Sequence, residues 1–175
     1  DWAKEHNARA IGLTDHGNMF GAFEFYEKAK ESEIKPIIGC EVYVAPNKRY
    51  ERGENNKQGT SHHLVLLAEN NTGYRNLMKI VSRAYNEGFY YVPRIDLELL
   101  EENHEGIIAT TACIKGRVPD WLLQDKKKAS VEHLLELRDI MGKDNLFIEI
   151  HNHGLDEEIE VMPKLVKLSR ETGIP

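Results

Sequence analysis

The sequence predicts an α/β fold in which strands and helices alternate along the chain. Short apolar runs bounded by turn residues alternate with amphipathic stretches of helical spacing. Strands that are separated by helices at this spacing usually pair in parallel through right-handed crossovers. The sequence therefore predicts an α/β barrel or an open, doubly wound sheet, and the pattern alone does not decide whether the sheet closes.

The apolar runs predict strands at residues 10–14, 35–45, 62–68, 106–111 and 145–150. The amphipathic stretches predict helices at residues 19–32, 72–87, 130–141 and 158–172. The second of these helices has the clearest pattern, because four apolar side chains share one face: Leu77, Ile80, Val81 and Ala84. Residues 47–61 are polar and aperiodic, which predicts an exposed loop that could close a long hairpin.

Both ends of the chain interrupt predicted elements. Residues 1–9 have the pattern of a helix that has no start signal within the sequence. Residues 173–175 have the pattern of a segment that follows a helix and leads to a further strand. We therefore predict one domain, residues 1–175, that is truncated at both ends.

The composition narrows the possible functions. With 23 basic and 29 acidic residues the chain has a net charge of −6. This charge argues against the segment binding a nucleic-acid backbone by itself. No run approaches the roughly 18 apolar residues of a membrane helix, and the first residues lack a signal-peptide pattern. We therefore predict a cytoplasmic protein without membrane contact. The two cysteines, Cys40 and Cys113, are too few for a disulfide framework and are predicted to be thiols.

Polar groups at strand ends are the candidate functional residues of the first part of the chain. Asp15 and His16 directly follow an apolar run, and Gly17 allows the chain to turn there. The alternative is a simple turn, in which Asp15 or Asn18 caps backbone N–H groups. Glu41 lies within another apolar run, where a buried carboxylate is costly unless it pairs or binds a cation. Strand alternation also permits Glu41 to face solvent.

Five further residues complete the set of candidate metal ligands. His62 and His63 open a strand, and because neighbouring strand residues point to opposite faces, at most one of them can face a shared site. Cys113 follows a strand end, although an inert buried cysteine is the simpler alternative. His151 and His153 share a face by their spacing and form an alternative ligand pair.

Imidazole, carboxylate and thiolate at successive strand ends make a mixed N/O/S ligand set. Such a set suits zinc and tolerates manganese or iron. A bound ion of this class lowers the pKa of a coordinated water and holds phosphate oxygens, which phosphoester hydrolysis requires.

Five stretches of the chain resemble the PHP (polymerase and histidinol phosphatase) domain of bacterial DNA polymerase III alpha subunits, and they occur in the family's order. They read LTDHGNMFG (13–21), IKPIIGCEVY (34–43), HHLVLLAEN (62–70), TGYRNLMKIVSRAY (72–85) and ACIKGRVP (112–119). The GYRNL segment and the run FYYVPRI (89–95) resemble the polymerase branch of the family rather than its phosphatase branches.

The resemblance implies a distorted TIM-like PHP barrel that binds divalent metal ions, with zinc or manganese as the expected metals. By position it implies metal ligands at His16, Glu41, His63 and Cys113. Asp15 is implied to be catalytic, as a neighbour of the metals that orients a ligand or handles a proton. An antiparallel hairpin across residues 47–61 is expected, because it would bring His63 beside Glu41. The family's opening His-x-His motif and its closing strand with an Asp and a His would lie outside these residues.

For the parent protein the resemblance implies template-directed DNA synthesis, with DNA and other replisome subunits as partners. For this domain it implies a metal-dependent phosphoesterase, one form of which is a 3′–5′ proofreading exonuclease, and we expect the segment alone to be inactive. Two alternatives stay open. One is a free-standing PHP phosphatase acting on a small phosphate ester such as histidinol phosphate, and the other is a non-catalytic scaffold.

Overall fold

A mixed sheet organises the chain in the computed structural model, which describes residues 2–52 and 61–175. Its strands within these residues are β1 (Ala10–His16), β2 (Lys35–Val44), β3 (His62–Ala68), β4 (Arg94–Ile95), β5 (Ile107–Thr110) and β6 (Leu146–Phe147). The helices of the described residues are α1 (Trp2–Glu5), α2 (Ala22–Glu31), α3 (Asn71–Gly88), α4 (Leu97–Glu102), α5 (Arg117–Leu123), α6 (Lys127–Met141) and α7 (Asp156–Thr172).

The strands follow the order β1-β2-β3-β5-β6, and β4 pairs with β2. β1 and β4 both run parallel to β2, and β6 runs parallel to β5. β3 runs antiparallel to its two neighbours, β2 and β5. Among the described residues the sheet is open, with β1 and β6 as the two ends of this order.

The all-parallel pairing inferred from the alternation of strands and helices is therefore wrong at β3. The chain has no helix between β2 and β3 in its described residues, so β3 folds back on β2 as the resemblance had suggested. Residues 53–60, most of the predicted 47–61 loop, lie outside the described residues. The described part of that segment is not uniformly exposed, because Arg49 is buried.

The long elements match the sequence pattern, whereas β4, α4 and α5 were not predicted. These three elements contain only two to seven residues, which is too short for a recognisable period. All four predicted core residues of α3 are buried: Leu77, Ile80, Val81 and Ala84. Within the described residues, no helix combines the length and the apolar character that a membrane crossing requires.

One apolar core joins the sheet to α3, α4, α6 and α7. It contains Leu66 of β3, Ile95 of β4 and Leu134 of α6, each fully buried. Burial of these strands and helices fixes the positions from which the polar strand-end residues project.

Candidate metal centre

The strand registers place three predicted ligands on one face of the sheet. β1 and β2 are aligned so that His16 lies opposite Glu41. β2 and β3 are aligned so that Tyr43 lies opposite His63. Paired residues project to the same face of a sheet, and so do residues two apart on one strand. His16, Glu41 and His63 therefore share a face.

The Glu41 carboxylate is the central group of this site. Its Oε1 atom lies 2.7 Å from Nδ1 of His63 and 2.8 Å from Nδ1 of His16. Sγ of Cys113 lies 3.6 Å from Nδ1 of His63. Glu41, His63 and Cys113 can each present a ligand atom so that these atoms all lie within 4.8 Å of one another. We call His16, Glu41, His63 and Cys113 the four-residue cluster.

The four-residue cluster fits a divalent cation of the zinc class. A nitrogen ligand and a thiolate around tetrahedral zinc are about 3.6 Å apart, which is the separation between His63 and Cys113. Oε1 of Glu41 is buried. The imidazoles of His16 and His63 lie close to it, but no donor among the described residues forms a hydrogen bond with it. A buried carboxylate oxygen in this situation is costly unless a cation binds it.

A strained turn presents Cys113 to the cluster. Ala112 precedes it with φ of 58°, in the left-handed region that non-glycine residues rarely adopt. Gly116 closes the same turn, and a Cβ atom there would lie 2.0 Å from the carbonyl oxygen of Thr111. Strain of this kind persists where the surrounding structure or a function requires it.

Mutual contacts shift the ionisation of the cluster. The contact with His63 lowers the pKa of the Glu41 carboxyl. Cys113 and Glu41 together raise the pKa of His63 to about 9, and His63 lowers the pKa of the Cys113 thiol. The shifts of Glu41 and Cys113 favour the carboxylate and the thiolate, the forms that bind cations, whereas the shift of His63 favours a protonated ring that must lose its proton when a metal binds. Cys40 behaves differently, since burial raises the pKa of its thiol to about 12.

His16 stands at the solvent edge of the cluster. Its side chain is 69% exposed, whereas that of Glu41 is 12% exposed. Gly17 follows with φ of 68°, and a Cβ atom there would lie 2.9 Å from Cε2 of Tyr43. The glycine therefore lets the chain turn directly behind His16 without displacing the tyrosine.

Asp15 and His62 point away from the cluster. Asp15 projects to the opposite face of β1, where its Oδ2 accepts a 3.3 Å hydrogen bond from the Gly21 amide. Nε2 of His62 lies 3.2 Å from Oδ2 of Asp120, so His63 is the member of the histidine pair that joins the cluster. A catalytic role for Asp15 stays a prediction, and this position suits an indirect one.

An open cleft of about 760 Å³ adjoins the cluster. His16 and His63 line it together with two aromatic residues, Tyr43 and Tyr90, and with the exposed Lys115. Aromatic rings stack on nucleobases, and a lysine attracts phosphate. The sequence pattern does not single out the tyrosines and the lysine, because only their position beside the cluster distinguishes them.

A second group of potential ligands consists of His151, His153 and Glu158, which we call the second cluster. The two histidines lie in the loop after β6, and Glu158 lies in the first turn of α7. The sequence pattern indicates the two histidines as an alternative ligand pair but does not indicate Glu158. An acidic residue in the first helical turn usually signals only a favourable interaction with the helix dipole.

Comparisons with known proteins all point to one family. The sequence profile of the family described as "PHP domain" matches residues 1–153. DNA polymerase III subunit alpha of Treponema pallidum (strain Nichols) is 49% identical over 173 residues, which cover 99% of this chain and 15% of that protein. The subunit of Borreliella burgdorferi is 44% identical with the same coverage. That of Thermus aquaticus is 46% identical over 99% of this chain and 14% of its own length.

Proposed function

The chain belongs to the PHP domain family, and on this premise we propose that it is the PHP domain of a DNA polymerase III alpha subunit. Relatives with that name are 44–49% identical across 99% of the chain, which favours this assignment over a free-standing phosphatase. The chain spans about 15% of the length of these curated relatives. Template-directed synthesis, DNA binding and replisome contacts are therefore proposed for a longer, cytoplasmic protein, in which this sheet is part of a TIM-like barrel.

For the domain itself we propose metal-dependent hydrolysis of phosphodiesters. The observation that carries the proposal is the convergence of Glu41, His63 and Cys113 on ligand atoms within 4.8 Å of one another. When bound, a cation of the zinc class supplies a water of lowered pKa and a Lewis acid for a phosphate oxygen. His16, at the exposed edge of the cluster, completes the proposed ligand set.

The chain's own residues suit a nucleotide substrate. The open cleft leads to His16 and His63, so a phosphodiester placed there lies beside the proposed ligands. Lys115 offsets part of the phosphate charge, and the aromatic residues Tyr43 and Tyr90 line the cleft in which a terminal base would lie. These features are compatible with a strand end as the substrate, and we propose a 3′–5′ exonuclease because such an activity would proofread the synthesis proposed for the longer protein.

The test compares the purified wild-type protein with His16→Ala on 3′-labelled single-stranded DNA in the presence of Zn²⁺ or Mn²⁺. We expect hydrolysis to fall by about 100-fold, while primer extension by the same protein is retained. His104→Ala is the control, because His104 is a half-buried histidine outside both clusters that lies just after α4 and bonds to the Glu101 carbonyl of that helix.

Full metal-dependent hydrolysis in the His16→Ala protein would place the chemistry elsewhere. Absence of hydrolysis in the wild type, with reduced primer extension in the variant, would favour the non-catalytic scaffold.

A further inference from the structure

We propose that the second cluster, His151, His153 and Glu158, is a separate binding site for a divalent cation of the zinc class. These three residues can present ligand atoms that all lie within 4.8 Å of one another. The family profile matches as far as residue 153, so Glu158 lies outside the matched segment. The site therefore combines the end of the matched segment with the helix that follows it.

The spacing of the groups suits a metal shell. Nδ1 of His153 lies 2.9 Å from Oε1 of Glu158, and neighbouring nitrogen and oxygen ligands of tetrahedral zinc are about 3.3 Å apart. The His151 and His153 rings lie 5.2 Å apart between centroids and are inclined by 82°. Small side-chain adjustments would bring all three groups to bonding distance of one ion.

A carboxylate partner already fixes the imidazole of His151, and a backbone hydrogen bond holds Glu158 beside His153. Nε2 of His151 lies 2.5 Å from Oε1 of Glu149, so Nδ1 is left as the ligand atom of that ring. The other oxygen of Glu158 accepts a 2.6 Å hydrogen bond from the His153 amide. Metal-binding histidines commonly have such carboxylate partners, which set the tautomer and the ring orientation.

Burial and access also agree with an ion site. The Glu158 side chain is 3% exposed, and burying a carboxylate is costly unless it is paired or binds a cation. The His153 side chain is 70% exposed, which gives an ion a path from solvent. The simpler alternative is that Glu158 only connects the loop to the start of α7 through its contacts with His153. In that case the two converging imidazoles would have no function.

Co²⁺ is the probe for the experiment, because a thiolate ligand produces a charge-transfer band and nitrogen and oxygen ligands do not. The band reports the cluster that contains Cys113, and the number of bound equivalents reports both sites. The purified protein is titrated with Co²⁺ as wild type, as His153→Gln and as His104→Gln. His153 is largely exposed, so its replacement should have little effect on folding, and His104, a half-buried histidine outside both clusters, is the control.

We expect His153→Gln to bind one Co²⁺ equivalent fewer, or to bind it at least about 10-fold more weakly, with an undiminished thiolate band. His104→Gln should match the wild type. Unchanged stoichiometry and affinity in His153→Gln would overturn the proposal. Loss of the thiolate band together with the equivalent would also overturn it, because His153 would then belong to the four-residue cluster. Neither readout depends on hydrolysis, so the proposed phosphodiesterase can fail independently.

Discussion

Oε1 of Glu41 lies 2.7 Å from Nδ1 of His63, on a strand that runs antiparallel to its own. Two strands that pair in opposite directions thus bring a carboxylate and an imidazole together although 21 positions separate them in the sequence. The hydrogen-bond geometry between these two atoms is poor, so the buried carboxylate oxygen has no hydrogen-bond partner among the described residues, a need that a bound ion would meet.

Replacing Glu41 with glutamine should remove most of the metal affinity of the four-residue cluster. The change keeps the size of the side chain but removes the negative charge and presents an amide in place of a carboxylate. We expect Zn²⁺ to bind about 100-fold more weakly, as measured by competition with a chromophoric chelator. Glu24→Gln, on the exposed face of α2, is the control and should bind Zn²⁺ like the wild type.

Local patterns predicted most of the fold, and long-range pairing accounts for what they missed. Strands and helices with a clear period were found, whereas β3 was paired in the wrong direction by the alternation argument. Arg49 lies in a polar segment but is buried, because Asp96, far along the chain, offers it a carboxylate. A local pattern cannot reveal such a partner.

The candidate site was predictable where a polar residue interrupts or ends an apolar run, as at Glu41 and Cys113. Glu158 has no such signal, because it resembles an ordinary acidic residue of a first helical turn. The left-handed backbone of Ala112 is likewise invisible in the sequence, since alanine is not a residue that usually marks this conformation.

Replacing Asp96 with alanine should destabilise the fold strongly. The buried Asp96 carboxylate binds the Arg49 side chain and amide, and it also caps α4 through the Leu99 amide. Removing it leaves the Arg49 guanidinium buried with one carboxylate fewer, which should cost about 3 kcal/mol in the free energy of unfolding. Urea denaturation of the purified protein measures this loss.

The exposed pair of Lys48 and Glu98, 2.8 Å apart, is the matched comparison. Both side chains are about half exposed, so Lys48→Ala should cost less than about 1 kcal/mol. An equal loss in the two variants would mean that burial does not set the strength of these ion pairs.

Asp15→Asn tests whether this residue handles a proton or only fixes the turn behind His16. The amide oxygen of asparagine can still accept the hydrogen bond from the Gly21 amide, so we expect metal binding and most of the hydrolysis to be retained. Asp15→Ala should lose that bond and about 1 kcal/mol of stability. Hydrolysis that disappears in Asp15→Asn while Zn²⁺ still binds would instead support a proton-handling role.

His133 should make the stability of the fold depend on pH below neutrality. It is buried in α6 beside Trp121, and burial, together with the nearby charges of Arg117 and His62, lowers its pKa to about 3. The neutral ring can donate from Nδ1 to the Glu136 carboxylate, 3.3 Å away. The unfolded chain binds a proton at this position below about pH 6.5 and the folded chain does not. The contribution of His133 to the free energy of unfolding therefore falls as the pH drops from about 6.5 toward 3.

Between pH 7 and pH 5 this difference amounts to about 2 kcal/mol, because the unfolded state gains almost one bound proton over that interval. His133→Gln removes the titrating group and keeps a side chain that can donate to Glu136. We expect the loss of stability between pH 7 and pH 5, measured by urea denaturation with a chelator present, to be smaller by about 2 kcal/mol in the variant. His104→Gln controls for the removal of a histidine elsewhere in the fold, and its free energy of unfolding should fall with pH as that of the wild type does. An equal loss of free energy of unfolding in the wild type and in His133→Gln would contradict the prediction. It would mean that His133 takes up its proton in the folded state as readily as in the unfolded state.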